Sequence, residues 1–100
     1  MVKRIKCTYN KFMRIEYDEA KRAKTLQERG LDFVDAVQVF ADSDMTQPDG
    51  RANYGEARFV TVGWLKGRVV VLAWTPRGEV RRIISMRYAN ERERTKFQMG

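Results

Sequence analysis

The chain reads as an α+β domain in which helices pack on one face of a small antiparallel sheet. Three observations predict it. Residues 18–40 carry closely spaced helix punctuation, with Asp18, Gly30 and Asp32 at the ends of helix-forming runs. Residues 56–64, 68–75 and 80–88 read as strands, joined by the hairpin-length links Leu65-Lys66-Gly67 and Pro76-Arg77-Gly78-Glu79. One hundred residues leave room for a single modest core.

Residues 1–12 show no clear period and read as a loose arm or extension, so the domain is assigned to residues 13–100 and Met13 is a candidate natural start. Met13-Arg14-Ile15-Glu16-Tyr17 alternates as a short strand does. Asp18 offers an N-cap, Glu19 an anion for the first turn, and residues 19–29 are good helix formers stopped by Gly30. Asp32 caps a second helix whose Phe33, Ala36, Val37 and Phe40 follow the i, i+3, i+4, i+7 stripe. Residues 43–54 are turn-rich, with a tight turn at Pro48-Asp49-Gly50 and a short edge strand before it. Val69 to Trp74 is apolar on both faces, as a central strand is. Asn90 with Glu93 starts a charged terminal helix that packs Phe97. This order leaves the other face of the sheet open to solvent or a ligand.

Net charge is +7 and unevenly spread. Residues 1–30 hold nine bases and four acids, residues 51–100 hold eleven and four, and residues 31–50 hold five aspartates and no base. Such a balance favours a polyanionic partner through steering and counterion release. No apolar run approaches a membrane span, and the basic N-terminus lacks the apolar stretch of a secretory signal. A lone Cys7 fits a reducing cytoplasm.

The chemistry is narrowed by the absence of histidine. The three strand runs carry five arginines (Arg58, Arg68, Arg81, Arg82 and Arg87) and one acid, Glu56. Guanidinium offers planar paired donors for phosphate and never loses its charge, so phosphodiester cleavage here would rest on Arg, Lys, Glu, Tyr or water. Strict alternation puts Arg81, Ile83, Ser85 and Arg87 on one face and Arg82, Ile84, Met86 and Tyr88 on the other. Arg58 with Glu56 reads either as a phosphate ligand beside a base or as a surface ion pair. Arg77 at a hairpin tip reads as a ligand or a plain turn residue. Trp64 and Tyr88 are candidates for base stacking, whereas Trp74 belongs to the core. Lys21, Arg22 and Lys24 form a basic ridge that reads first as a solvated helix face. The Asp-rich stretch 42–49 matches no complete calcium loop, and no glycine-rich phosphate loop or nucleophile elbow occurs, so neither metal nor cofactor is expected.

From Met13 to Phe97 the chain resembles BrnT-type toxins of bacterial toxin–antitoxin pairs, within the RelE/ParE-like superfamily. The resemblance rests on Tyr17-Asp18-Glu19-Ala20-Lys21-Arg22, Gly30-Leu31-Asp32-Phe33 with Ala36, Val39-Phe40 and Asp42, then Gly55-Glu56-Ala57-Arg58-Phe59 and Gly63, Thr75 with Arg77-Gly78, and Arg82-Ile83-Ile84-Ser85-Met86-Arg87-Tyr88-Ala89 with Glu93. It implies a RelE-like fold with two N-terminal helices on one sheet face, and a cytoplasmic ribonuclease that arrests translation. It also implies a co-encoded antitoxin with a ribbon-helix-helix domain, in a 2:2 or similar complex that binds operator DNA. Matching motifs implicate Glu56, Arg58, Arg77, Arg82 and Arg87 in catalysis, with Lys21, Arg51, Arg81 and Tyr88 as further RNA contacts. Arg82 and Arg87 share a face only if a bulge lies near Ser85. Where the family usually reads Lys-His-Gly, this chain has Glu28-Arg29-Gly30, and Phe97 stands for a frequent Tyr.

The expected activity is metal-independent cleavage by the RNA 2′-hydroxyl, with Arg58 and Arg87 stabilising developing charge. A non-catalytic nucleic-acid module and a ParE-like toxin acting on DNA gyrase stand as alternatives.

Overall fold

The computed structural model of the chain describes residues 14–42, 45–50 and 55–99. The arm at 1–12 with Cys7, the candidate start Met13, and Arg51 lie outside the described residues. The elements are β1 (Arg14–Glu16), α1 (Glu19–Arg29), a 3-10 turn (Phe33–Asp35) running into α2 (Ala36–Asp42), β2 (Met45–Pro48), β3 (Phe59–Leu65), β4 (Arg68–Arg77), β5 (Val80–Tyr88) and α3 (Glu91–Met99).

The helix ends follow the local chemistry. The Asp18 carboxylate accepts from Ala20 N at 2.8 Å and Lys21 N at 3.3 Å, satisfying donors that the first turn leaves unpaired. Gly30, at φ 71°, closes α1 by donating its N–H to Leu26 O. Asp32 accepts from Val34 N at 3.1 Å and opens the 3-10 turn rather than an α-turn. The second helix is thus shorter than its apolar stripe implies. At α3, Asn90 and Glu93 cap each other's backbone: Asn90 N donates to Glu93 Oε1 at 2.9 Å and Glu93 N to Asn90 Oδ1 at 2.8 Å.

Five strands form one sheet in the order β1-β5-β4-β3-β2. All neighbours are antiparallel except β1, which runs parallel to β5 with Glu16 opposite Arg82. The sheet is therefore mixed, not purely antiparallel. No hairpin ties β1 to its neighbour, so nothing obliges it to reverse. β4 is central, and its residues from Val69 to Thr75 are buried except for half-buried Ala73.

Alternation along β4 feeds two cores. Val70, Leu72 and Trp74 join Ile83 and Met86 of β5 with Phe33, Val37, Val39 and Phe40. This is the first face. Trp74, 7% exposed, stacks on Phe59 with centroids 5.1 Å apart, meets Phe40 edge-on, and donates its indole N–H to Thr61 Oγ1 at 2.8 Å. α1 buries no side chain, so the first core rests on the 3-10 turn and α2.

Val69, Val71 and Ala89 form a second cluster with Val60, Val62 and Phe97 of α3. The second face is therefore partly roofed, where the order of elements implied an open one. A central strand apolar on both faces requires cover on both sides, and Phe97 supplies it on the second. Among the described residues no helix is long and apolar enough to cross a membrane.

Candidate functional site

One extra residue in β5 decides which arginines meet. Ala73 lies opposite Ser85, but the next residue, Trp74, lies opposite Ile83, which leaves Ile84 as a bulge. Below the bulge the alternation is reversed. Thr75 pairs with Arg82 and Val71 with Arg87, so Arg82, Ser85 and Arg87 all belong to the second face. Arg81 and Ile83 go instead with Met86 and Tyr88 to the first. Strict alternation had grouped Arg81 with Arg87, and the bulge overturns that grouping. This is the bulge near Ser85 that puts Arg82 and Arg87 on one face.

At one end of the second face sits a cluster on the segment before β3. The Glu56 carboxylate lies 3.6 Å from Arg58 Nε and 3.5 Å from Arg77 Nη2, so two guanidiniums share one acid. Two backbone ties hold this segment. The Thr75 hydroxyl donates to Ala57 O, and Asp49 N donates to Arg58 O at 2.8 Å. Arg77, paired with Val80 at the end of β4, is about half exposed. Beside this cluster, across Thr75, Arg82 Nη1 donates to Glu16 Oε2 at 2.9 Å from the parallel strand β1.

The next guanidinium along β5 is held differently. Arg87 donates Nη1 and Nη2 to the two oxygens of Glu93, each at 2.8 Å, in a fork-to-fork pair. That bonding pulls the Glu93 carboxyl down to about 2, and the carboxylate in turn raises Arg87. Ser85, Arg87, Glu93, Lys96 and Phe97, with Gln47 and Asp49 across from them, line a depression of about 430 Å³. Glu56, Arg58, Arg77 and Arg82 lie outside its walls.

Among the described residues, the remaining predicted contacts do not join this face. Arg81 lies over the rings of Phe40 and Trp74, 4.5 and 4.6 Å from their centroids, where burial lowers its pKa. Tyr88 packs against the first core, with the Arg68 guanidinium 3.9 Å above its ring. Lys21 is exposed on α1. Its neighbour Arg22 is locked to Asp32 by Nε–Oδ1 at 2.8 Å and Nη2–Oδ2 at 3.1 Å, which lowers Asp32.

Sequence reading missed two partners. Glu93 was visible as a capping acid and a motif residue but not as a partner, though the same carboxylate also clamps Arg87. Glu16 carried no signal, because its approach to Arg82 depends on a parallel strand pair far apart in the chain. Among the described residues there is no group of three or more His, Cys, Asp and Glu placed to hold a metal ion.

Five arginine-bearing or acidic positions named from motifs (Glu56, Arg58, Arg77, Arg82 and Arg87) thus share one sheet face, each guanidinium next to a carboxylate. No curated protein matches the chain. The family model described as ribonuclease toxin, BrnT, of type II toxin-antitoxin system matches residues 17–93. That span includes α1, the sheet from β2 to β5 and Glu93, and the chain belongs to this family of ribonuclease toxins.

Proposed function

We propose that the chain is a metal-independent endoribonuclease whose phosphate site is the Glu56–Arg58–Arg77 cluster, flanked by Arg82 and Arg87. The observation that carries this reading is the β5 bulge, which turns Arg82 and Arg87 toward the face that bears the cluster. The contacts to Glu56, at 3.5 and 3.6 Å, are longer than Arg82–Glu16 at 2.9 Å and Arg87–Glu93 at 2.8 Å. These are the longer two of the four ion pairs, so an entering phosphate breaks less in displacing them than it would at Arg82 or Arg87.

The RNA 2′-oxygen forms a bond to phosphorus as the bond to the 5′-oxygen breaks. Glu56 takes the 2′-hydroxyl proton, directly or through one water, and solvent returns a proton to the 5′-oxygen. Arg58 and Arg77 meet the charge that grows on the phosphoryl oxygens, while Arg82 and Arg87 steady flanking phosphates. Guanidinium supplies here the positive charge that a divalent ion supplies elsewhere. The products are a 2′,3′-cyclic phosphate, or the 3′-phosphate from its hydrolysis, and a 5′-hydroxyl.

Family membership implies a cognate antitoxin. In our reading it is a ribbon-helix-helix DNA-binding protein that covers the arginine face, the complex binds operator DNA in a 2:2 or similar ratio, and the toxin acts in the cytoplasm. Arg81, Tyr88 and Lys21 are secondary RNA contacts at most, since none lies on this face.

The test is cleavage of RNA by the purified chain in EDTA, with end-group analysis, for wild type, Arg58→Ala and Arg87→Ala. Cleavage in EDTA with cyclic phosphate ends, sharply reduced in Arg58→Ala, is expected. A strict Mg²⁺ requirement, or equal cleavage by Arg58→Ala, overturns the mechanism. Salt-sensitive binding with no product would favour a non-catalytic module.

A further inference from the structure

The opposite end of the sheet carries a second cationic cluster built on other terms. Trp64, opposite Val69 on the second face, is 41% exposed although its ring lies 6.0 Å from Phe97. Next to it a cavity of about 310 Å³ opens between the β3–β4 turn, the end of β5 and α3. Its walls include Trp64, Arg68, Tyr88, Arg94 and Gln98, and no carboxylate. Arg94 is steadied by donating Nη1 to Ala89 O at 3.3 Å, and Arg68 by lying 3.9 Å over the Tyr88 ring. Neither makes an ion pair with a described residue. Both guanidiniums are thus held in place without being neutralised.

An open indole beside two cations that lack carboxylates has the chemistry of a single-strand nucleotide site: a π-face for a base and donors for its phosphate. We propose that Trp64, Arg68 and Arg94 form a subsite for one unpaired nucleotide of the RNA, its base stacked on Trp64 and its phosphate held by the two guanidiniums. The proposal rests on the ribonuclease reading and adds a substrate requirement to it. Arg68 and Arg77 mark the two ends of β4, roughly 30 Å apart at the usual rise per residue, so the subsite engages RNA several nucleotides from the cut. Base pairing hides the π-face, so the subsite selects single strands.

Trp64 reports on this directly. The other tryptophan, Trp74, is buried with its N–H on Thr61, so changes in emission on RNA binding belong to Trp64. The full chain, freed of antitoxin, is titrated with an oligouridylate, with an abasic strand of equal length, and with polyglutamate, while the anisotropy of the labelled strand follows binding. Quenching by the oligouridylate but not by the abasic strand or polyglutamate is expected. Trp64→Ala should weaken binding roughly tenfold and Trp64→Tyr should restore most of it. Replacing Arg68 and Arg94 together should flatten the salt dependence of binding. Unchanged emission on saturated protein, equal quenching by the abasic strand, or equal quenching by polyglutamate overturns the proposal. Cleavage without quenching sinks the subsite and leaves the ribonuclease reading standing. Quenching without cleavage does the reverse.

Discussion

Arg77 and Arg87 stand on the same sheet face, yet their carboxylates treat them differently. Arg87 is gripped by both oxygens of Glu93 at 2.8 Å, and that same carboxylate caps α3. Arg77 shares Glu56 with Arg58 at 3.5 and 3.6 Å, and no helix end depends on that acid. The first pair is balanced and tied into the fold. The second is held at longer range. An arginine that has to take hold of a phosphate does better in the looser arrangement, because little is broken when the anion arrives.

That contrast can be broken by experiment. Arg58→Ala should cut RNA cleavage roughly 100-fold, the usual effect of removing one charge-stabilising donor, while thermal unfolding moves little. Wild-type cleavage by this variant would remove the loose cluster from the chemistry. Glu93→Gln should act in the opposite sense. It should cost about 2 kcal/mol of stability in urea unfolding, from the lost fork and the weakened cap, and leave cleavage per folded molecule within a few fold. If it abolishes cleavage as Arg58→Ala does, the two pairs do the same job.

The titration of Glu93 sharpens the same point. Its carboxyl sits near 2 in the folded protein, below its ordinary value of 4.5, so the unfolded chain binds the proton more tightly. The stability it contributes is complete above pH ~4.5 and is lost as pH falls toward 2. Since Glu93 is about one-third exposed, solvent screening reduces that contribution to about 1–2 kcal/mol. Stability curves of wild type and Glu93→Gln should converge across this acid window, and parallel curves would deny the coupling. The smallest effect belongs to Lys21→Ala on exposed α1, expected to stay within about 0.5 kcal/mol in stability and about twofold in cleavage.

Much of the fold was legible because its signals are short-range. Asp18, Gly30 and Asp32 mark their helix ends by bonds to residues two to four positions away, and both hairpin links turn where glycine takes positive φ. Trp74 was readable as core from the apolar run around it. For the candidate site, the sequence named residues but not which of them share a face. Arg81 was expected to touch RNA, yet it lies flat on Phe40 and Trp74 of the other face. The open face was expected from the order of elements, yet Val60, Val62, Val69 and Val71 draw Phe97 over them.

From the residues alone follow the helix ends, the buried central strand, the guanidinium-rich sheet and membership in a ribonuclease toxin family, because each depends on near neighbours or on ordered motifs. Which arginines stand together could not follow from them. A single inserted residue at Ile84 inverts every side chain beyond it, and Glu16 reaches Arg82 only through a strand pair formed across most of the chain. Facing and long-range pairing are properties of the assembled sheet, and no local preference encodes them.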